Sequence, residues 1–167
     1  MSSGLYHLAL RLPAPVTTRI GALGTMTLPA GWYVYTGSGG LSLERRVARH
    51  FRKDKPLRWH IDYLTTRPDV RVVCAAIFQV KSKKEKVKSF GGENGSLSEC
   101  EAHRLVGRLV DGVSVVARFG SGDCKDGCSS HLWWAGRDDV VAILARLPGA
   151  EIVTPPDRSN PDEEDNA

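Results

Sequence analysis

A short basic segment carries the residue types best suited to binding phosphate. Six basic side chains fall between positions 45 and 53: Arg45, Arg46, Arg49, His50, Arg52 and Lys53. Arg46 and His50 are four positions apart, so they lie on the same side of a helix. A guanidinium stays charged and binds phosphate oxygens with its planar fork, whereas an imidazole exchanges a proton near neutral pH. The segment predicts either an anion-binding face or an ordinary solvated surface.

A second group of side chains could hold a metal ion. Cys124 and Cys128 have a looser spacing than a CxxC pair, but it lies within the range of zinc ligands, and His131 follows closely. Thiolates together with imidazole favour zinc over magnesium. The candidates for this second site are His60, Asp62, Cys100, Cys124, Cys128 and His131. The alternative is a purely structural role for each, because a four-ligand site requires distant loops to converge.

The elements that position these groups follow from hydrophobic periodicity. Gly4–Leu12 alternates as a strand that places Tyr6 on the same face as its leucines, and Gly31–Thr36 predicts a second strand. The prolines and glycines between them predict a loop or an extra hairpin. The basic segment falls on a helix from Ser42 to Lys53. Further predicted elements are strands at Val70–Val80, Val113–Phe119 and His131–Ala135 and helices at Ser98–Val110 and Asp138–Leu147.

Composition is compatible with one globular domain. The 167 residues are 41% hydrophobic and 25% charged, which is enough for a real core. We interpret 1–153 as a single domain and 154–167, rich in proline and acidic residues, as a disordered tail. The net charge of +4 therefore understates how basic the body is, and this permits binding to polyanions. No membrane-spanning run or signal peptide is visible, so a cytoplasmic protein is expected.

Seven sequence blocks in a fixed order resemble the GIY-YIG nuclease superfamily, and within it a branch defined only as a domain of unknown function. The blocks are GLY, YVYTGSGG, RRVARHF, RWHIDYL, SEC, FGSGDC and SHLWW. The resemblance implies an α+β fold, in which a small antiparallel sheet is flanked by helices, here with extra C-terminal strands and a helix. It also implies cleavage of nucleic-acid phosphodiesters with one divalent cation.

The resemblance assigns roles by position. Tyr6 and Tyr35 match the two signature tyrosines, Arg46 matches the helix arginine, and His50 matches a histidine that often follows it. The acidic metal ligand then falls on Glu99, with Glu101 in reserve, for Mg²⁺ or Mn²⁺. The remaining basic residues of the helix would bind nucleic acid: Arg45, Arg49, Arg52 and Lys53.

These roles suit phosphodiester hydrolysis, which requires an activated water, a cation and a fixed positive group near the transition state. Proton acceptance is assigned to Tyr6 and His50 as a pair. In the simpler interpretation, the strand tyrosines only pack in the core and Glu99 only stabilises a helix N-terminus.

The expected function is therefore a metal-dependent nuclease acting on DNA, with no membrane and no obligate protein partner. One alternative is a non-catalytic nucleic-acid-binding module on the same fold, since the two tyrosines are 35 − 6 = 29 positions apart. The other is a zinc-binding interaction protein built on the cysteines.

Overall fold

A six-stranded antiparallel sheet forms the centre of the protein in the computed structural model, which describes residues 3–80 and 97–157. Its strands are β1 (Ser3–Leu12), β4 (Gly31–Ser38), β5 (Arg71–Val80), β6 (Gly112–Val113), β7 (Leu132–Ala135) and β8 (Glu151–Val153). They lie in the order β6-β7-β4-β1-β5-β8. A separate hairpin consists of β2 (Val16–Arg19) and β3 (Thr25–Leu28). The predicted α+β class with an antiparallel sheet is confirmed.

Strand register explains how two tyrosines distant in sequence become neighbours. β1 pairs with β4, with Tyr6 opposite Gly37 and Leu8 opposite Tyr35. Side chains opposite each other lie on the same face, and so do those two positions further along a strand. Tyr6 and Tyr35 therefore share one face, and their ring centroids are 6.3 Å apart.

The residues inserted between the tyrosine strands form a hairpin, which is one of the two predicted alternatives. β2 and β3 are joined through a short 3-10 turn at Gly21–Leu23. The hairpin continues from the end of the pair where Leu12 faces Gly31, whereas the tyrosines lie toward the end where Leu5 faces Ser38. The long separation in sequence therefore leaves the tyrosine pairing intact.

Helices cover both faces of the sheet. The helices of the described ranges are α1 (Leu43–Phe51), α2 (Asp62–Thr65), α3 (Glu99–Leu109) and α4 (Val140–Ala145). One core cluster joins β1 side chains such as Leu8 and Leu10 to Val47 and Phe51 of α1. The other core cluster joins Ala9 and neighbouring side chains on the opposite face of the sheet to α3 and α4. The sheet thus separates two hydrophobic layers, as the alternation of apolar residues in β1 requires.

One predicted strand is wrong in extent. Only Gly112 and Val113 are extended where Val113–Phe119 was expected, and the chain then turns through Arg118, whose φ is +65°. Phe119 is fully buried, so its apolar character comes from packing beneath a turn and not from a strand. Of the predicted tail at 154–167, residues 158–167 lie outside the described residues. None of the described helices is long and apolar enough to span a membrane.

Candidate active site and metal centre

A cleft of about 360 Å³ brings together side chains from four elements. Tyr6 comes from β1, Tyr35 from β4, Arg46 from α1 and Glu99 from the first turn of α3. The rest of the lining consists of Gly37, Ser38, Arg58, Trp59, His60, Gly120, Gly122 and Asp123. Three candidate catalytic residues and the candidate metal ligand therefore share one concave surface.

His50 lies directly beneath the cleft and is fully buried. Its Nε2 is 2.7 Å from the hydroxyl of Tyr6, and the two rings are 5.2 Å apart. Its Nδ1 has no hydrogen-bond partner within the described ranges. The glycine of the Tyr35-Thr36-Gly37 triplet makes room for this pair, because a Cβ at Gly37 would collide with the hydroxyl of Tyr6.

Burial keeps the Tyr6–His50 pair neutral. Desolvation, with the nearby Tyr35 as a smaller cause, raises the pKa of Tyr6 well above its usual value. Desolvation also raises the pKa of Tyr35. The pKa of His50 falls to about 3, first through burial and then through the positive charge of Lys55. At neutral pH, each of these rings is uncharged and can exchange a proton only through a hydrogen bond.

Arg46 is held in a fixed orientation at the cleft. Its Nη1 donates to the backbone oxygen of Ser38 at 2.6 Å, and its guanidinium carbon lies 4.9 Å from the ring centroid of Trp59. Ser38 ends β4, so the strand that carries Tyr35 also positions Arg46. A guanidinium anchored on one edge still has further N–H groups with which to bind an anion.

Arg49 belongs to a buried ionic network and not to an open phosphate surface. Its Nη2 lies 2.7 Å from the carboxylate of Asp62, which is fully buried, and it also donates to the backbone of Pro56. Asp62 accepts backbone N–H groups of Arg58 and Trp59 as well, and Lys55 is 3.7 Å away. Asp62 therefore shapes the turn that presents Trp59 to the cleft, and it takes no part in a cysteine site.

The other predicted nucleic-acid contacts divide into two kinds. Arg45 on α1 and Arg52, which directly follows α1, are exposed. Lys53 instead turns inward, where its Nζ donates to the backbone oxygens of Arg67 and Val70 at 2.7 Å each. Arg49 thus ties α1, and Lys53 the segment that follows α1, to other parts of the chain.

The two acidic candidates at the start of α3 have different environments. Glu101 forms a capping box with Ser98, accepting its backbone N–H at 2.7 Å while its own N–H is bound by the Ser98 hydroxyl. Glu101 therefore stabilises the helix end and does not line the cleft. Glu99 does line it, and a second carboxylate, Asp123, joins it there. Two carboxylates facing one cleft suit a hard divalent cation.

A cluster of sulfur and nitrogen atoms lies beside Glu99. Ligand atoms of Cys100, Cys124, Cys128 and His131 all lie within 4.8 Å of one another. The distant loops do converge, although their separation in sequence argued against it. His60 and Asp62 are not in this group. His60 instead accepts the backbone N–H of Gly120 at 3.0 Å and so holds the loop that forms one wall of the cleft.

Glu99 lines the cleft and also contacts the cysteine cluster. One carboxylate oxygen lies 2.8 Å from Nδ1 of His131. Hydrogen bonding to Glu99 is the chief reason that the pKa of His131 rises to about 9. The cleft and the cysteine cluster are therefore adjacent, with Glu99 between them.

The amino-acid sequence of the chain matches the model of one protein family. A model described as the domain of unknown function DUF123 matches residues 5–148, which is most of the chain. The chain belongs to the DUF123 family. The matched range includes both the cleft and the cysteine cluster of this DUF123 protein. Comparisons with curated proteins and with solved structures gave no match.

Sequence patterns alone give no role in the cleft to several of the residues that line it in this DUF123 chain. Arg58 and Trp59 precede the His60-Ile61-Asp62 run, and Gly120 and Asp123 lie in the FGSGDC block. Both blocks are among the seven that carry the family resemblance, but no periodicity predicts that they meet. The sequence signal for this region is the presence of arginines and a tryptophan that can pair with them, since a guanidinium is attracted to the face of an aromatic ring.

Proposed function

We propose that this DUF123 protein is a metal-dependent nuclease of the GIY-YIG type that hydrolyses phosphodiester bonds, with DNA as the substrate. The observation that carries the proposal is the meeting of Tyr6, Tyr35, Arg46 and Glu99 around one cleft, although they come from four separate elements. The order of the sequence blocks supports the same assignment.

Arg46 supplies the fixed positive charge. Its guanidinium is already oriented by Ser38 and Trp59, so little reorganisation is needed when a phosphate binds. Preorganised charge directed at the developing negative charge is the most effective form of electrostatic catalysis. Arg58 and the partly exposed Trp59 ring lie beside it in the lining and suit a nucleic-acid strand, since aromatic rings stack on bases.

The Tyr6–His50 pair provides a route for the proton of an attacking water. The phenol oxygen of Tyr6 accepts that proton as its own passes to Nε2 of His50, along the 2.7 Å contact. Both groups are neutral before the reaction, because burial raises the pKa of Tyr6 and lowers the pKa of His50. Tyr35 lies against both rings and limits their movement.

Glu99 and Asp123 would hold Mg²⁺ or Mn²⁺. These ions prefer a few carboxylate oxygens together with water and substrate phosphate. The cation would offset charge on the phosphate and favour ionisation of a bound water. Glu99 also contacts His131, which fixes the side chain at the edge of the cleft.

Cleavage assays test the proposal. Purified full-length protein is incubated with labelled single-stranded, duplex and branched DNA, and with matching RNA, in the presence of Mg²⁺ or Mn²⁺. We expect cleavage of DNA that falls at least about 100-fold in Arg46→Ala and Glu99→Gln, as for loss of a preorganised charge. Arg137→Ala is the matched control, because Arg137 pairs with Asp139 at an exposed position outside the cleft lining. Absence of cleavage by wild type on every substrate would contradict the proposal.

A non-catalytic nucleic-acid-binding module is the second candidate. The observation that favours it is burial: Tyr6 is only 2% exposed and neither tyrosine ionises easily. In that case wild type binds DNA without cutting it, and Arg46→Ala weakens binding and reduces its salt dependence.

A further inference from the structure

We propose that Cys100, Cys124, Cys128 and His131 bind a zinc ion that fastens the loop at 120–131 to the first turn of α3. This site is separate from the cleft cation of the proposed function and does not depend on it. Its role is structural, and through Glu99 it also positions one wall of the cleft.

The distances between the four ligand atoms suit one tetrahedral ion. Sγ of Cys100 lies 3.3 Å from Sγ of Cys124 and 3.7 Å from Nε2 of His131, and all four atoms lie within 4.8 Å of one another. A tetrahedral zinc ion with Zn–S bonds of about 2.3 Å requires ligand atoms about 3.8 Å apart. All four cysteines of the chain are free thiols. The side chains therefore need only small shifts to reach a common ion.

The donor set selects zinc over the hard cations. Three thiol groups and one imidazole are soft or borderline ligands, which magnesium and calcium avoid. Cys100 is buried, Cys124 and Cys128 are partly buried and His131 is buried, so the group is a closed site and not a surface cluster. Closed Cys₃His sites are typical of structural zinc.

Neighbouring residues already orient the ligands. Nδ1 of His131 faces Glu99 at 2.8 Å, which leaves Nε2 directed at the sulfur atoms. Histidines that ligate a metal generally bond a carboxylate or carbonyl through their other nitrogen. The guanidinium of Arg104 lies 3.7 Å from Sγ of Cys128. Its charge would offset the net negative charge of three thiolates around Zn²⁺.

The loop at 120–131 is held mainly near its two ends, where Gly120 donates to His60 and His131 donates to the backbone oxygen of Phe119. It contains no helix or strand, and most of its residues between 122 and 129 are at least partly exposed. Gly120 and Gly127 take positive φ angles of 66° and 71°. Its apolar anchor, Phe119, is just before it. Between the ends, Arg104 of α3 donates to the backbone oxygen of Asp126. A metal crosslink to α3 would add to this contact, because the free energy of metal binding adds to that of folding.

The cleft depends on the same loop. Gly120, Gly122 and Asp123 line the cleft, and Asp123 immediately precedes the ligand Cys124. Glu99 immediately precedes the ligand Cys100 and contacts the ligand His131. Zinc binding would therefore hold both cleft carboxylates in position without contacting substrate.

Metal content and Co²⁺ spectroscopy test this inference without any activity assay. The full chain is purified under reducing conditions without chelators, and we expect about one zinc per chain by elemental analysis. Replacement of zinc by Co²⁺ should give visible bands of a tetrahedral site and near-ultraviolet thiolate charge-transfer absorption. Cys124→Ser and Cys128→Ser should lose most of the zinc. Cys74→Ala is the matched control and should keep it, because Cys74 is a buried thiol of β5 outside the cluster.

Measurements on the wild type keep the test decisive even if the serine variants fail to fold. Removal of the metal with a chelator should lower the melting temperature by several degrees, and added Zn²⁺ should restore it. Wild-type protein with neither bound zinc nor a Co²⁺ thiolate spectrum would overturn the inference. So would a Cys100–Cys124 disulfide in the reduced preparation, or full zinc content in both serine variants. Failure of nuclease activity alone would leave these results unaffected.

Discussion

The hydroxyl of Tyr6 and Nε2 of His50 are 2.7 Å apart inside the protein, although 44 positions separate the residues in the chain. Tyr6 reaches this point from β1 and His50 from the last turn of α1. The contact joins the sheet to the basic helix directly under the cleft. It is also the one hydrogen bond of the His50 ring within the described ranges, so its loss leaves both ring nitrogens without a partner.

Tyr6→Phe should destabilise the protein and abolish cleavage. The variant keeps the ring but leaves the buried imidazole without a partner, which costs about 1–3 kcal/mol. Urea unfolding measures this cost. Tyr33→Phe is the control: it removes a hydroxyl that donates to the backbone of Pro29 at 2.7 Å, near the far end of β4. We expect it to lose stability but keep cleavage, so equal cleavage by both variants would argue against the proton route.

Gly37→Ala should disturb the same pair from the opposite strand. The added methyl group would collide with the hydroxyl of Tyr6, because Gly37 is the residue opposite Tyr6 on β4. Overpacking of this kind costs about 1–3 kcal/mol. Thermal melting is the measurement. Gly122→Ala, where no atom lies within 4 Å of the new Cβ, should melt within about a degree of wild type. Identical melting of both variants would show that Tyr6 has room to move.

Asp62→Asn should be among the most damaging single changes on the α1 side of the sheet. Asp62 is fully buried, and its carboxylate balances the charges of Arg49 and Lys55. Removing one partner of a buried ion pair costs about 3–5 kcal/mol. Asp69→Asn breaks the pair with Arg67, where the Asp69 side chain is 50% exposed, and it should cost less than about 1 kcal/mol. Urea unfolding of the two variants measures the contrast, and similar losses would contradict the assigned roles.

Acid should destabilise the protein partly through His7. Burial lowers the pKa of His7 to about 4 in the folded protein, whereas an unfolded histidine titrates near ~6.5. The unfolded chain therefore binds the proton first. The stability that the folded protein has with His7 neutral is fully present above about pH 6.5. It is lost as the pH falls toward 4.

The measurement for His7 is the free energy of unfolding in urea at pH 7.5, 6 and 5. We expect His7 to account for about 2 kcal/mol of the loss between the highest and lowest pH. His7→Asn keeps a polar atom near Thr36, whose Oγ1 lies 2.9 Å from Nδ1 of His7, but removes the titration. Its dependence on pH should be shallower than that of wild type. Parallel curves would exclude His7 as a source of acid sensitivity.

Local periodicity predicted the parts of the site that depend on a single element. The parity of Tyr6 with Leu8 and Leu10 placed it on the buried face of β1, and the four-residue spacing of Arg46 and His50 placed both on one side of α1. Each inference needs only the geometry of one strand or helix. The insertion between the tyrosines was likewise predictable, because prolines and glycines mark where a strand must end.

The other parts of the site depend on tertiary contacts between residues that are distant in sequence. Arg49 has the same chemistry and the same helix as Arg46, yet it binds Asp62 whereas Arg46 faces the cleft. Nothing in the spacing of the basic segment distinguishes the two residues. The same holds for Cys100 and Cys124, which are 24 positions apart but have sulfur atoms 3.3 Å apart. Such contacts depend on how the loops pack, and hydrophobic periodicity in the sequence does not predict loop packing.

The hairpin of β2 and β3 offers a place to attach the protein to a surface or a dye. It extends from the Leu12 and Gly31 end of the strand pair, whereas the cleft lies near Tyr6, about 20 Å away along β1. Thr25 and Thr27 are exposed there. A single cysteine at either position would carry a fluorophore or a tether, provided that labelling spares the thiols of the cluster. Immobilised in this way, the protein would present its cleft to the surrounding solution.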